Sequence, residues 1–260
     1  MSRMIRVFFS SVGLVATIAM SLFLFASQAN AQSATASPMA ADMGDCVHAL
    51  GIGNEGDACI NIIHASPDAP NVDVYVNGEK ALENVAFGAF SGWMALPAGE
   101  YHVQVAPTGE MADAAVIDAT LTLESGAAYQ VAAVGTVDSI TAQVYRVDLH
   151  QRADGMASVR VIHASPDAPA VDIALQGGDA LISNLAFPDA SDYLDVPAGS
   201  YDLEVRPTGT MDVALDLPGV ELEAGMVYDV FAIGQVADES LTVLVIPSTT
   251  MAPDMATPAA

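Results

Sequence analysis

The sequence predicts an all-β protein built as two tandem immunoglobulin-like antiparallel β-sandwich domains, and three observations carry that prediction. Ile63-His64-Ala65-Ser66-Pro67-Asp68-Ala69-Pro70 returns letter for letter, 99 positions on, as Ile162-His163-Ala164-Ser165-Pro166-Asp167-Ala168-Pro169, and the residues after each copy align with small gaps. Such self-similarity marks a duplicated unit. Within each unit, apolar residues alternate with polar ones over short stretches, the period of a strand with one buried face. Turn signals separate these stretches and no long helical period intervenes, the pattern of about seven short strands in two packed layers.

The chain opens with Arg3 and Arg6, an apolar run from Val7 to Phe25, and Ala29-Asn30-Ala31. A charged start, an apolar middle and a small-x-small end are the marks of a cleaved signal peptide over residues 1–31. The run is long enough to span a bilayer, but its polar Ser10, Ser11, Thr17 and Ser21 and the cleavage site favour removal. No second apolar span follows, so the mature chain has no expected membrane span. Residues 32–45 and 248–260 are small, polar and aperiodic, and read as a disordered leader and tail.

Domain 1 is expected over 46–150, a linker over 151–156 and domain 2 over 157–247. In the first unit Ile60–His64 is a short apolar run closed by the proline-rich block. Val72, Val74 and Val76 then alternate with Asp73 and Tyr75 up to a turn at Asn77-Gly78. Leu96-Pro97-Ala98-Gly99 has the proline and glycine placement of a type I turn. It leads into Tyr101, Val103 and Val105. Ser125-Gly126 precedes Tyr129, Val131 and Ala133, and a last strand is expected from about Ile140 to Val147. The second unit keeps the apolar pattern while changing its letters: Val171, Ile173 and Leu175; Tyr201, Leu203 and Val205; Tyr228, Val230 and Ala232. In both units a glycine turn shortly before a tyrosine resembles the tyrosine corner, where the phenol bonds back to the turn.

Cys46 and Cys59 are the two cysteines of a chain expected to be exported, where thiols oxidise. Their disulfide closes a short loop and adds roughly 3 kcal/mol in the chain-entropy model. Arg146, Arg152 and Arg160 gather at the junction of the units; exposed arginines of little energetic effect are the first reading, and ion pairs that set the angle between the domains the second. The whole chain has a formal net charge of -25. Without Arg3 and Arg6, five basic residues face 32 carboxylates, or minus 27. That balance excludes nucleic acid as a partner and leaves weak cation binding open.

His64, Ser66 and Asp68 are the residue types of a nucleophilic triad, repeated as His163, Ser165 and Asp167. Pro67 breaks the strand between them, no glycine-flanked nucleophile elbow is present, and triad members normally come from separate elements. A structural role accounts better for the block: prolines fix the backbone, Asp68 accepts backbone N–H groups in an Asx turn, and His64 bonds to backbone. Ligand contacts at this place would come from His64, Asp68 and Asp73 and from their copies His163, Asp167 and Asp172. Calcium needs several converging oxygens, and only Asp68 with Asp73, and Asp167 with Asp172, come near that pattern. The pairs Met39/Met43 and Met251/Met255 carry soft thioethers of a copper(I)-binding type, but low-complexity sequence that happens to contain methionine explains them better. Trp93 is expected at the core or its rim.

The repeated block, followed by Val72-Asp73-Val74-Tyr75-Val76 and Leu96-Pro97-Ala98-Gly99-Glu100-Tyr101, resembles the bacterial secreted domain-of-unknown-function family numbered 4397. The second unit joins through Val171-Asp172-Ile173 and Val196-Pro197-Ala198-Gly199-Ser200-Tyr201. The resemblance covers nearly all of residues 59–247 and implies exported tandem β-sandwich domains, with no assigned activity. The cysteine pair lies outside its core pattern. The resulting expectation is a non-enzymatic exported module of the cell envelope or extracellular space. It has no catalytic residue, cofactor or metal, and its partner is an envelope protein or polysaccharide. A calcium-binding surface protein, and then a hydrolase using the block, are the alternatives.

Overall fold

Each repeat supplies eight strands, and the computed structural model, which describes residues 45–250, arranges them as two four-stranded sheets per repeat. The expected signal peptide, nearly all of the leader, the tail beyond Thr250 and the methionine pairs lie outside the described residues.

The first repeat contains β1 (Asp57–His64), β2 (Val72–Val76), β3 (Glu79–Val85), β4 (Met94–Pro97), β5 (Gly99–Pro107), β6 (Ile117–Leu123), β7 (Ala128–Val134) and β8 (Thr141–Val147). The second contains β9 (Met156–His163), β10 (Val171–Leu175), β11 (Ala180–Leu185), β12 (Leu194–Pro197), β13 (Gly199–Pro207), β14 (Leu215–Leu222), β15 (Met226–Ile233) and β16 (Thr242–Thr249). The last strand thus continues two residues into the stretch expected as tail. In the first repeat the sheet β4-β1-β7-β8 packs on β3-β2-β5-β6, and in the second β12-β9-β15-β16 packs on β11-β10-β13-β14.

Within each sandwich the alternation works as expected: Val72, Val74, Val103, Val105 and Val131 meet between the sheets of the first, and Val161, Val171, Ile173 and Val205 between those of the second. Two details differ from the expectation. The sheets are not wholly antiparallel, because β1 pairs with β7 in parallel, as β9 does with β15. Strands alternate in direction along the chain, so placing the first beside the seventh requires a parallel pair. Leu96–Gly99, expected as a type I turn ahead of a strand, is strand on both sides of a bend at Ala98. Ala98 alone separates β4 from β5, which lie in different sheets, so this stretch is a crossing. Asn77-Gly78 is the expected tight hairpin, with φ of 52° and 82°, the left-handed pair of a type I′ turn.

The phenols bond to backbone at all four expected tyrosines. Tyr101 and Tyr201 donate to the carbonyls of Pro97 and Pro197 at 2.7 and 2.6 Å, and Tyr129 and Tyr228 accept from the N–H groups of Glu124 and Glu223. At the opposite end from the repeated block, Cys46 of the short helix α1 (Cys46–Leu50) forms a disulfide with Cys59 of β1. Asp45 caps that helix by accepting the Val47 N–H.

The two sandwiches pack against each other through the sheets that hold β1 and β7 and β9 and β15. This is why every residue of β7 is buried: a strand covered on both faces reads as a continuous apolar run. Tyr129, Val131 and Ala133 face their own core, whereas Ala132 and Val134 meet Phe231, Ile233 and Ile246 of the second repeat. Ile63 and Ala65 lie in the same cluster as their copies Ile162 and Ala164. The two block-bearing ends therefore sit side by side.

Polar groups are set into this apolar seam. Arg160 donates through Nε to Asp229 at 2.6 Å, and its Nη1 donates across the seam to the Arg146 carbonyl at 2.7 Å. Tyr193 donates to the same carboxylate at 2.9 Å, with the Arg160 guanidinium 4.6 Å from its ring centre. Gln130 of the first sandwich comes close enough to favour the charged form of Asp229, without a well-aligned hydrogen bond. Tyr145 donates to the Pro188 carbonyl, Trp93 to Ser248 and Thr249 to the Ala49 carbonyl, so these bonds also cross between repeats. The expectation of ion pairs at the junction needs one adjustment. Arg146 pairs with Glu124 inside the first repeat and Arg160 with Asp229 inside the second. Arg152 joins Asp148 to Asp195. Hydrogen bonds to backbone and packing supply most of the direct contact across the seam.

Candidate functional site

The repeated block leaves β1 and β9 at the seam and turns over the end of each sandwich. His64 is 1% exposed, with its Nε2 3.0 Å from the Pro70 carbonyl and its Nδ1 accepting the Ser66 N–H at 3.4 Å. A ring nitrogen that accepts carries no proton, so this pattern calls for the neutral tautomer with the proton on Nε2. Burial lowers the imidazole's pKa and favours the same state. His163 repeats the arrangement with Pro169 and Ser165. Pro67 and Pro70 bend the chain so that the ring reaches the carbonyl of Pro70, six residues on.

The serines do not bond to these imidazoles through their hydroxyls. Ser66 donates to the Gly135 carbonyl at 2.6 Å, and Ser165 to Asp167 at 3.5 Å. Asp68 accepts the N–H of Val137 at 2.9 Å, and Asp167 those of Val236 and Ala237, both at 2.9 Å. The aspartates therefore do not close the local Asx turn expected of them. They tie the block to the loop that follows β7 or β15, 69 residues away in sequence. No chain of serine, histidine and carboxylate forms that would relay a proton.

Asp73 and Asp172 serve a different junction. Asp73 accepts from Lys80 at 2.6 Å and from the N–H groups of Asn84 and Gly109. Asp172 accepts from the N–H groups of Asn184 and Gly209 and from the Thr208 hydroxyl. All four backbone donors have positive φ, from 54° to 88°, so each carboxylate holds two left-handed residues from different loops in place. The Lys80 ammonium and these N–H groups hold the Asp73 carboxyl well below the usual carboxylate range, and the backbone bonds do the same for Asp172. Asp68 and Asp73 thus serve separate loops, as Asp167 and Asp172 do. Among the described residues no group of three or more His, Cys, Asp or Glu is placed to hold a metal ion.

An open space at the block is found in the second repeat. A cleft of about 680 Å³ is bounded by Pro169 and His163 of the block, by Val171 and Val205 of the sheet, and by Ala214 and Leu241 of two loops. In the first repeat the space that touches His64 lies inside the sandwich, among Val74, Val103 and Val131, and measures about 20 Å³. The loops at this end differ in length between the repeats. The β5–β6 connection has nine residues and makes a single 3-10 turn over Ala112–Ala114, whereas the β13–β14 connection has seven and no such turn. The β7–β8 connection has six residues and packs Ile140 into the core, whereas the β15–β16 connection has eight and sets Leu241 and Glu239 at the cleft. Glu239 has a φ of 59°, a left-handed conformation uncommon for a residue with a side chain. Of the residues expected from sequence, His163 borders this cleft, while Asp167 holds its loop and Asp172 lies apart. Val236, Glu239 and Leu241 were missed. The signal for them was the two-residue insertion in the second copy, visible when the repeats are aligned.

No curated protein matches the chain. Among solved structures, the Bacillus anthracis TIE protein is similar at 13% identity over 69% of this chain, with a TM-score of 0.23. The chain spans about a third (34%) of the length of that protein. A streptococcal virulence factor, from a structure described as showing alpha-glucan binding, shares 11% identity over 71% of this chain and 96% of its own, with a TM-score of 0.22. A candidate cell adhesion protein from Parabacteroides distasonis shares 12% identity over 76% and 99% of the two chains, with a TM-score of 0.21. Scores this low give the likenesses no weight for ligand or role. The family comparison is of another order: a model of the Domain of unknown function DUF4397 matches residues 58–174 and again 157–258. With both repeats matched, the chain belongs to the DUF4397 family.

Proposed function

We propose that this protein is a non-enzymatic exported module that holds a partner at the loop end of its second sandwich. The observation that carries the reading is the cleft beside the second block. Both blocks commit their histidine, serine and aspartate to the fold's own hydrogen bonds, and a cleft of about 680 Å³ opens beside His163 and Pro169. Its volume falls in the usual range of ligand sites, roughly 300–1,000 Å³. The hydrolase alternative loses support because each serine hydroxyl points to a partner other than its histidine. A disulfide suits an oxidising compartment outside the cytoplasm, in keeping with the signal peptide read from the sequence.

The test compares the mature chain with Ala214→Trp, which puts an indole into the cleft from an exposed position. Both are incubated with envelope proteins and polysaccharides of the producing cells. Retention of the wild type and its loss in the variant, at unchanged melting temperature, is the expected result. Equal retention of both would remove the cleft from the function. Esterase, glycosidase or peptidase activity abolished by His163→Ala would replace the binding module with an enzyme.

A further inference from the structure

Resting on the reading that the loop end is where a partner is held, we infer that the partner is a cationic polypeptide segment carrying apolar side chains. The block-bearing ends of both sandwiches lie side by side, since Ile63 and Ala65 share a packing cluster with Ile162 and Ala164. The loops after β7 and β15 are tied to the two blocks, and those after β5 and β13 stand at the same ends of their own sandwiches, where they follow the strand ends paired with Val72 and Val171. Six large apolar residues are exposed on these loops: Met111 at 73%, Val116 at 44%, Val137 at 41%, Met211 at 68%, Val213 at 49% and Val236 at 47%. Isolated exposed apolar residues are ordinary, but a group of them on one end marks an interaction surface. Methionine suits such a surface because its flexible thioether adapts to the side chains it meets.

The charge carried by these loops is of one sign, while the buried Arg206 at the end of β13 reaches the Met211 Sδ at 3.5 Å. Glu110, Asp113, Asp138, Asp212, Asp238 and Glu239 lie on the same four loops, and those loops contain no Lys, Arg or His. A complementary partner is therefore positive, and attraction of this kind sets orientation and on-rate. The other classes fit less well. Nucleic acid and anionic lipid surfaces are repelled by the carboxylates. A polysaccharide gains much of its affinity by stacking on aromatic rings, and the four loops have no Phe, Tyr or Trp. A polypeptide with Lys or Arg between aliphatic residues meets both features at once: an apolar side chain enters the cleft beside Leu241 and Ala214 while the cations face the rim.

The test uses the full mature chain and fluorescence anisotropy with a labelled peptide of repeated Lys-Leu-Ala units, against a Glu-Leu-Ala peptide of equal length. The Lys peptide is expected to bind and to weaken as salt is raised from 0.05 to 0.5 M, roughly the span over which exposed charges become screened. The Glu peptide is expected not to bind. Asp212→Lys with Glu239→Lys should weaken the Lys peptide about tenfold, since two exposed attractions become repulsions. Glu55→Lys with Glu223→Lys makes the same change in net charge at the opposite end, and should stay within about twofold of wild type. Equal loss in both double variants would reduce the effect to general acidity and overturn the inference, as would equal binding of the two peptides. If Ala214→Trp abolishes retention of envelope material but neither peptide binds, the site stands and the cationic partner is wrong. If Ala214→Trp leaves both retention and Lys-peptide binding intact, the site and the inference fall together.

Discussion

Replacing Arg160 with methionine tests whether the seam between the sandwiches depends on its buried ion pair. Asp229 is 0% exposed and Arg160 6%, so the substitution leaves a carboxylate away from water with Tyr193 as its remaining well-aligned donor. It also removes the bond from Arg160 to the Arg146 carbonyl of the first sandwich. Removing one member of such a pair costs about 3–5 kcal/mol, because the other charge stays buried and uncompensated. At about 2–4 °C per kcal/mol for a body of this size, the melting temperature should fall by roughly 6–20 °C. Replacing both members, Arg160→Met with Asp229→Leu, removes the stranded charge and should return stability to within about 1 kcal/mol of wild type. Urea unfolding of the wild type, both single variants and the double variant completes the cycle.

The pH dependence of the same variants adds a second readout. Burial pushes Asp229 above the usual carboxylate value in the native state, and Arg160 opposes that shift. In Arg160→Met the opposition is gone and the folded pKa rises further. A carboxyl whose folded pKa exceeds its unfolded value of about 3.9 contributes most below that value, and its contribution is lost as pH rises through the folded pKa. The deficit of Arg160→Met should therefore shrink as pH is lowered from 7 towards about 4. A single-variant cost below about 1 kcal/mol, or a double variant as unstable as the sum of the singles, would refute the reasoning.

Four further outcomes are expected. Gly135→Ala should cost about 2–4 kcal/mol by chemical denaturation, because Gly135 has a φ of 95° and an added methyl would lie 2.8 Å from the Ser139 carbonyl oxygen. Cys46→Ala with Cys59→Ala should lower stability by about 3 kcal/mol, the loop-closure value for a separation of 13 residues, measured under oxidising conditions against wild type. Asp68→Ala should cost about 0.5–1.5 kcal/mol and Asp167→Ala more, since the first loses one backbone N–H bond at an exposed site and the second two; equal costs would contradict the bond count. Asp73 stays ionised in the folded chain well below the pH at which the unfolded chain takes up its proton, so its stabilisation is present above about pH 4 and lost as pH falls further. Asp73→Asn should accordingly flatten the acid limb of a stability profile taken from pH 5 to pH 2.

The strands were legible because their inner faces obey a period of two in both copies, and the disulfide because a cysteine pair in a chain expected to be exported has few other uses. The tyrosine bonds followed from the glycine turns that precede each phenol. The seam was harder to see. Ala128–Val134 is apolar on both faces except at Gln130, which was a sign of a doubly covered strand, but nothing local names the surface that covers it. Arg160 and Asp229 are 69 positions apart, and their meeting depends on the parallel pairing of β9 with β15, which places them opposite each other. Trp93 was expected near a core rim, and its bond to Ser248 depends on how the repeats dock. Asp68 and Asp167 were read as closing local turns because sequence neighbours are the first partners to consider, whereas the fold brings a distant loop within reach.

Comparison of the two copies separates residues that serve each sandwich from those that serve the pair. His64 and His163 must each hold a proline carbonyl within their own repeat, so both copies need the same residue. In the seam the same layer of one repeat meets that of the other, and identical charges would face each other there. Asn61 and Gln130 are paired across β1 and β7 in the position where Arg160 and Asp229 are paired across β9 and β15. An amide carries donors and an acceptor without a net charge. Gln130 can therefore lie against Asp229 where a second aspartate would repel it and raise the cost of burial. One ion pair with one amide pair avoids the like-charge repulsion of two ion pairs, although the Gln130 amide, the Arg160 Nη2 and the Asp229 Oδ2 are left without an aligned partner. The same reasoning applies at the loop end, where an insertion in one loop and a shortening in another border the cleft of the second repeat. Duplication supplies two equivalent scaffolds, and divergence at these two places makes their surfaces unequal. A chain with unequal surfaces has one preferred way to fold its repeats together.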